Sequence, residues 1–250
     1  MERVALKNYG FLAGEGIYTD MNAVRRDETL DNLHSVYTDQ WDWEKIITPK
    51  TRNEGYLKTV VKCIVGAICE TQDVLKCSYP QLTGELCREV SFITSQDLED
   101  LYPALTPKER ENAYCKEKGT VFLLQIGEKL RSGKPHDSRA PDYDDWSLNG
   151  DLLFWSDVLG CAVEISSMGI RVDEGSLAYQ LKAANAENRK QFPFHRALLN
   201  GELPLTMGGG IGQSRLSMLL LEKAHIGEVQ VSLWDEETKK ICAEHGVVLL

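Results

Sequence analysis

Two pairs of short segments constrain the fold of this chain more than any other feature. The first pair, residues 15–20 and 34–43, is rich in Tyr, Val and Trp and flanks a charged stretch at residues 25–32. The second pair, residues 151–155 and 161–165, flanks a short stretch typical of a turn. The first pair resembles a β-hairpin with a long polar loop, and the second pair resembles a β-hairpin with a short turn. We therefore expect antiparallel strands in much of the protein.

Helical patterns lie between and after these hairpins. Apolar residues recur at helical spacing within residues 53–76, and Thr106, Pro107 and Glu109 are spaced as in a capping box that opens a helix. Further strands are predicted at residues 90–94, 120–126, 208–212 and 228–234, and further helices at residues 175–184, 187–199, 213–223 and, capped by Ser95, just before Pro103. The pattern predicts one α+β domain over residues 1–250, with a largely antiparallel sheet flanked by helices.

Composition excludes some classes of function. The formal net charge is -10, and Lys and Arg form no basic stripe, which disfavours a nucleic-acid substrate. The seven cysteines and five histidines show no metal-like spacing, which is typical of a reducing compartment. No run of about eighteen apolar residues occurs, so we expect a cytoplasmic protein without a membrane partner.

Residues 208–215 form a glycine-rich segment that opens an amphipathic helix. Its glycines would let a flat ligand lie on bare backbone with Arg215 beside it, an arrangement that suits adenine and phosphate. A dinucleotide fingerprint is absent because Arg215 occupies the place of its third glycine, and no Lys-Ser/Thr pair follows to make a P-loop. By itself the segment is equally consistent with a glycine-rich turn and a solvated arginine.

Two other patterns are candidates for binding. Arg25 and Arg26 lie in the loop of the first hairpin, where a guanidinium could hold an α-phosphate, although most loop arginines face water. Gln40, Asp42 and Glu44 alternate along a predicted strand and should share one face. Such alternation could line a pocket, but any half-buried strand shows it.

The second hairpin and the loop before it carry a third group of candidates. The acidic and aromatic loop of residues 139–146 could receive an ammonium group. Asp151 and Glu164 lie near the two ends of the hairpin, and two carboxylates brought close together would suit Mg²⁺ with nucleotide phosphates. The hydroxyls and the arginine within residues 164–171 would suit a substrate that bears a carboxylate.

Taken together, these motifs resemble the ammonia-dependent asparagine synthetases, relatives of the catalytic domains of aspartyl- and asparaginyl-tRNA synthetases. The resemblance rests on residues 13–16, 34–44, 139–146, 149–151, 164–171 and 208–215. It implies the catalytic fold of the class II aminoacyl-tRNA synthetases, an antiparallel sheet flanked by helices, and a homodimer.

The resemblance also implies roles for individual side chains. Arg25, rather than Arg26, corresponds to the arginine on the α-phosphate, and Arg215 to the arginine beside adenine. Asp151 and Glu164 correspond to the carboxylates that hold magnesium. The implied ATP site comprises Arg25, Asp151, Glu164, Gly210, Gly212 and Arg215. The implied aspartate site comprises Gln40, Asp42, Asp144, Ser166, Ser167 and Arg171.

The implied reaction joins L-aspartate and ammonia at the expense of ATP. The β-carboxylate attacks the α-phosphorus to give β-aspartyl-AMP and pyrophosphate, and ammonia then displaces AMP. Arg25 and Arg215 would stabilise charge on the α-phosphate together with Mg²⁺, and Arg171 would pair with a substrate carboxylate. Asp144 or Asp42 would hold the substrate amine or the incoming ammonium.

The chain departs from the family at its start. Family members carry an amino-terminal helix, the first motif of the dimer interface and a lysine of the aspartate site before the position of Met1. We therefore expect a chain shortened at its amino terminus, with its dimer interface and activity in question. The alternative is a nucleotide-binding remnant or paralogue of an aspartyl- or asparaginyl-tRNA synthetase. A complete tRNA synthetase is disfavoured by the acidic charge, and a glutamine-dependent enzyme by the lack of a cysteine after Met1.

Overall fold

The computed structural model describes residues 2–250, and one seven-stranded sheet lies at its centre. Its strands are β1 (Gly16–Val24), β2 (Tyr37–Ile46), β3 (Val90–Thr94), β4 (Thr120–Leu124), β5 (Asp144–Ser156), β6 (Cys161–Arg171) and β7 (Thr206–Gly212). They lie side by side in the order β1, β2, β7, β6, β5, β4, β3. Strands β3 and β4 pair in parallel and the other neighbours pair antiparallel. The prediction of an α+β fold on a largely antiparallel sheet is confirmed.

Eight α-helices surround the sheet in the part of the chain that the structure describes. They are α1 (Glu2–Asn8), α2 (Glu54–Ser78), α3 (Ser95–Leu101), α4 (Pro107–Lys118), α5 (Glu174–Ala183), α6 (Pro193–Leu199), α7 (Gln213–Leu220) and α8 (Glu236–Glu244). Helix α2 begins where the Asn53 side chain accepts a hydrogen bond of 2.9 Å from the backbone of Tyr56. Helix α4 begins with the predicted capping box of Thr106 and Glu109. Within residues 2–250, no helix combines the length and the apolar character needed to cross a membrane.

The two faces of the sheet are covered differently. On one face, the apolar stripe of α2, which includes Leu57 and Val61, packs against Phe122 and Leu152 of the central strands. On the other face, α3 and α4 form a second cluster over β4, β5 and β6, with Leu123 at its centre. Because side chains alternate along a strand, the functional residues of β2, β6 and β7 share the face of α3 and α4.

The helix predicted at residues 187–199 is broken into two pieces. Glu187–Gln191 form a 3-10 turn, and α6 begins only at Pro193. Proline has no backbone N–H to continue a helix, and it favours an extended conformation in the residue before it. Phe192 accordingly has φ -73° and ψ 149°. The prediction of helical structure in these residues was therefore correct, but its continuity was wrong.

The carboxyl-terminal region departs most from the prediction. The strand expected at residues 228–234 is absent: Ile226–Glu228 form a 3-10 turn and the following residues have no regular structure. Val231 and Leu233 point into solvent, whereas Trp234 packs with Met218 of α7. The alternating apolar residues of this segment have no neighbouring strand with which to pair. Helices α1 and α8 were not predicted, and Thr94, not Ser95, caps α3.

Candidate active site

A cleft of about 480 Å³ opens over β2, β7 and β6, within the size range of about 300–1,000 Å³ typical of small-molecule sites. Its wall brings together residues from three parts of the chain, within residues 25–42, 139–167 and 209–230. The residues predicted from the sequence that line it are Arg25, Gln40, Asp42, Asp144, Glu164, Ser167, Gly210, Gly212 and Arg215. Their common location supports the grouping made from the sequence, although their individual roles stay predictions.

The floor of the cleft is a row of residues that lie side by side on four strands. Asp42 of β2 is opposite Gly210 of β7, which is opposite Ser167 of β6, which is opposite Asp151 of β5. A Cβ atom added to Gly210 would collide with the Asp42 carboxylate. Glycine is therefore needed here for the backbone of β7 to lie bare between the side chains of its neighbours.

A buried ionic cluster lies beside this row and includes Glu44, two residues after Asp42 on β2. The Arg171 guanidinium donates hydrogen bonds to the Glu44 carboxylate, with Nε to Oε2 at 2.9 Å, and it also pairs with Asp144. It lies 3.9 Å from the centre of the Tyr143 ring and donates to the Tyr143 hydroxyl. One arginine thus faces two carboxylates, which leaves the cluster with a net negative charge. Burial raises the pKa of Asp144, and Arg171 opposes this effect only in part.

Arg171 does not line the cleft, because only 2% of its side chain is exposed and its donors already have partners. The predicted contact between Arg171 and a substrate carboxylate therefore stays a prediction that would require the cluster to open. In the arrangement described here, Arg171 holds Asp144 at the cleft wall and keeps Glu44 buried.

The carboxylates of Asp151 and Glu164 form a second acidic group. Burial, followed by repulsion from Glu164, raises the pKa of Asp151 to about 7. The Oδ1 atom of Asp151 is buried without a hydrogen-bond partner, whereas Oδ2 accepts from Arg139. Within residues 2–250, no group of three or more Asp, Glu, His or Cys side chains is placed to hold a metal ion. A cation at this pair would therefore need further oxygen ligands from phosphate or water.

The two predicted phosphate-binding arginines approach the cleft from different elements. Arg215 follows the bare backbone of β7 into α7, and its Nη1 donates to the Glu164 carbonyl at 3.2 Å. Arg25 lies at the end of β1, with half of its side chain exposed, and pairs with Glu28 at 3.2 Å. Arg26 points into solvent and does not line the cleft. The preference for Arg25 over Arg26 therefore agrees with their positions.

Ser166 requires a correction. Its hydroxyl is buried without a partner and does not line the cleft, whereas that of Ser167 faces it. Met168 and Ile170, two and four residues later on β6, belong to the core packed against α2. Alternation places Ser166 on that same core face. Two adjacent residues of a strand point to opposite faces, so Ser166 and Ser167 cannot both bind the substrate.

Several cleft residues escaped the sequence analysis. Asp39 accepts hydrogen bonds from the backbone and the hydroxyl of Ser214, and Gln230 donates to the Ser214 hydroxyl at 2.8 Å. Gln230 lies in the region wrongly predicted as a strand, and Asp39 lies directly before Gln40, the first of the alternating positions that were selected. Other cleft residues outside the predicted site include Glu28, Leu33, His34, Arg139 and Tyr143.

The loop of residues 139–146 is held firmly against α5 and α6. The Asp142 carboxylate bonds to both His195 and Arg189 at 2.9 Å. Burial would raise the pKa of Asp142, but these two partners lower it. The Gln180 amide donates to the carbonyl of Asp144 at 3.0 Å. These contacts fix the position from which Asp144 reaches the cleft.

Comparison with known proteins gives a family. The family model described as Aspartate-ammonia ligase matches residues 1–246. The aspartate-ammonia ligase of Clostridium tetani is 60% identical over 249 residues, which cover 100% of this chain and 73% of that protein. That of Lactobacillus johnsonii is 60% identical over 250 residues, with 100% and 74% covered. This chain thus spans about three quarters of the length of these relatives.

Solved structures support the fold. The asparaginyl-tRNA synthetase of Entamoeba histolytica in complex with asparaginyl-adenylate matches with a TM-score of 0.67 and 15% identity, covering 92% of this chain and 55% of that one. The asparaginyl-tRNA synthetase of Pyrococcus horikoshii complexed with asparaginyl-adenylate gives 0.63 and 13%, covering 90% and 53%. This chain spans about half the length of each, and the predicted class II catalytic fold is confirmed. With the family match over nearly all its residues, the chain belongs to the aspartate-ammonia ligase family.

Proposed function

We propose that this protein makes L-asparagine from L-aspartate and ammonia, with ATP converted to AMP and pyrophosphate. The observation that carries the proposal is the single cleft in which arginines, a carboxylate pair and a negatively charged cluster lie along neighbouring strands. The family match and the names of the relatives support the same reaction.

ATP would bind at the part of the cleft formed by β7 and the start of α7. A flat base would lie near the backbone of Gly210 and Gly212, which line the cleft with Arg215. Asp42 and Gln40 flank Gly210. Arg25 reaches the cleft from β1 and would contact the α-phosphate, in exchange for its present pairing with Glu28. Both arginines would stabilise the charge that develops on the α-phosphate during displacement.

Asp151 and Glu164 would hold Mg²⁺ together with phosphate oxygens. They supply hard oxygen donors, and the unpartnered Oδ1 of Asp151 is an acceptor that a cation would satisfy. Bound there, Mg²⁺ would shield the charge of the triphosphate. The raised pKa of Asp151 reflects the same local excess of negative charge.

Aspartate and ammonia would bind at the acidic side chains of the cleft. Asp42 and Asp144 face the cleft, and Asp144 belongs to the buried cluster in which Arg171 faces two carboxylates. Such a site attracts the α-ammonium group of aspartate and an ammonium ion. Gln40 and Ser167 also line the cleft and would contact the substrate carboxylates.

The reaction then needs two displacements. A β-carboxylate oxygen of aspartate bonds to the α-phosphorus as pyrophosphate leaves, and this gives β-aspartyl-AMP. Ammonia next attacks the β-carbonyl carbon and AMP leaves, which gives asparagine. Ammonium must lose a proton before it attacks, and Asp144 is a suitable acceptor because burial raises its pKa.

The proposal is tested by incubating the protein with aspartate, ammonium and MgATP. Asparagine and AMP should appear in equal amounts, and neither should appear when ammonium is omitted or replaced by glutamine. The variant Asp144→Asn should lose most of this activity, while Arg131→Gln, an exposed substitution outside the cleft, should not. Absence of AMP formation by the unmodified protein under all these conditions would contradict the proposal. Homodimer formation and a cytoplasmic location stay predictions.

A further inference from the structure

Arg139 is the cleft arginine that the predicted site left out. Its guanidinium Nη2 pairs with the Asp151 carboxylate, and Nη1 donates to Asp137 at 2.8 Å and to the Ser138 carbonyl at 3.0 Å. Its side chain is 17% exposed, and it lines the cleft together with Glu164. Arg139 therefore already occupies one side of the carboxylate that would bind Mg²⁺.

Arg139 and a metal ion would compete for the same negative charge. Asp151 and Glu164 are close enough to repel each other, and in the described arrangement Arg139 is the cation that directly contacts Asp151. A divalent ion between these carboxylates would satisfy Asp151 in its place and would repel the guanidinium at short range. Arg139 would then be free to contact an anion in the cleft.

Asp137 allows such an exchange without loss of Arg139 from the site. Its carboxylate is 59% exposed and sits on the same loop, two residues before Arg139. An arginine that leaves Asp151 would keep this contact, and its remaining donors would face the cleft. Guanidinium groups match phosphate oxygens well, because they present several donors in one plane.

We propose that Arg139 is an exchange residue: it neutralises Asp151 while the cleft is empty and turns to the triphosphate of ATP once Asp151 binds Mg²⁺. This inference rests on the proposed function. It makes Arg139 a third arginine of the ATP site and explains how the buried carboxylate of Asp151 is paired before substrates bind. A purely structural ion pair would have no reason to reach the cleft surface.

The exchange predicts effects of opposite sign for one substitution. In Arg139→Gln, Mn²⁺ used as a probe without nucleotide should bind about tenfold or more tightly, because its competitor for Asp151 is gone. The same variant should bind ATP in saturating Mg²⁺ about tenfold or more weakly, because a charged hydrogen bond to phosphate is lost. A merely structural role would weaken both.

Both affinities are measured on the full chain, Mn²⁺ by electron paramagnetic resonance and ATP by calorimetry. Arg131→Gln is the matched control, since Arg131 is 74% exposed and pairs with Asp100 outside the cleft. Thermal denaturation checks that each variant folds. If Arg139→Gln does not fold, Arg139→Lys keeps the charge but loses the planar fork, and it should shift both affinities in the same opposite directions by smaller factors.

The outcomes separate the two proposals. Opposite shifts in the Arg139 variant, with the control unchanged, support the exchange. Shifts of the same sign, or none, in a protein whose unmodified form binds MgATP would overturn the exchange and leave the proposed function intact. Failure of the unmodified protein to bind MgATP would contradict the proposed function, and the exchange with it.

Discussion

The Arg171 cluster allows a quantitative prediction for the substitution Arg171→Met. Methionine keeps an unbranched apolar side chain but leaves Glu44, 1% exposed, and Asp144, 6% exposed, without their shared cation. Removal of one partner from a buried ion pair costs about 3–5 kcal/mol, because the remaining charge stays buried. For a protein of 250 residues, this corresponds to a fall in the unfolding midpoint of roughly 6–20 °C.

The loss should depend on pH in a definite direction. Burial already raises the pKa of the Asp144 carboxyl, and loss of the opposing charge of Arg171 would raise it further above its unfolded value. A carboxyl group with a raised folded-state pKa contributes its full stability below the unfolded pKa and loses it as the pH rises through the folded pKa. The variant should therefore lie closer to the unmodified protein at pH 5 than at pH 8.

Urea denaturation at these two pH values provides the assay. Adding Glu44→Gln to Arg171→Met should recover part of the stability at pH 8, because it removes one of the unpaired charges. The exposed pair of Arg131 and Asp100 supplies the control, since Arg131→Met should change stability by less than about 1 kcal/mol. A loss below about 1 kcal/mol for Arg171→Met, equal at both pH values, would refute the reasoning.

The remaining predictions concern ATP, metal, substrate choice and α2. Arg215→Ala should weaken ATP binding by about 1.5–3 kcal/mol, the range for hydrogen bonds to charged groups, and unchanged affinity in calorimetry would rule out the assigned contact. Mn²⁺ should bind more tightly at pH 8 than at pH 6 and release protons on binding, because burial and Glu164 raise the pKa of Asp151 to about 7. Calorimetry in two buffers with different ionisation enthalpies should detect the released protons. An affinity that does not change with pH would contradict the prediction. Glutamate should support ATP-pyrophosphate exchange about a hundredfold more slowly than aspartate. Its extra methylene would displace the reacting carboxylate, and a displacement of about 1 Å can lower a rate about a hundredfold. Equal rates with the two amino acids would be incompatible with the assigned pocket. Asn53→Ala should lower the free energy of unfolding by about 0.5–2 kcal/mol through loss of the α2 cap, and an unchanged urea midpoint would argue against the cap.

Local patterns predicted those parts of the fold that local interactions determine. Both hairpins, the long helix α2 and the capping box of α4 were predictable, because spacing and capping residues lie within a few positions of each other. The strand expected near Gln230 failed because strand formation depends on pairing with a neighbour, and these residues pair with no strand of the sheet. The break at Pro193 was visible in the sequence, but the predicted helix ran through it.

The candidate site was predictable in its residue types but not in the direction of each side chain. Ser166 and Ser167 were selected together, and only their opposite faces on β6 separate them. Regular alternation would place Glu164 and Ser167, three residues apart on β6, on opposite faces of the sheet. The pairing of β5 with β6 shifts register between Leu152 and Leu153, and this shift brings Glu164 to the cleft face as well. An irregularity of this kind depends on two strands at once, so neither strand alone indicates it.

The distribution of charge along the cleft supplies the last link between the fold and the proposed chemistry. Acidic side chains that suit an amine, Asp42 and Asp144, and arginines that suit phosphates, Arg215 and Arg139, line the same cleft. Arg215 contacts the carbonyl of Glu164, and Arg139 pairs with Asp151. The reacting groups would meet over the backbone of β7 near Gly210, which lies between Asp42 and Ser167 in the row. The sheet and its buried ion pairs hold the acidic groups in place before substrates arrive, whereas Arg25 and Arg139 would exchange their carboxylate partners for phosphate on binding. The charges would then be in place before the chemical step, which is the condition for efficient electrostatic stabilisation.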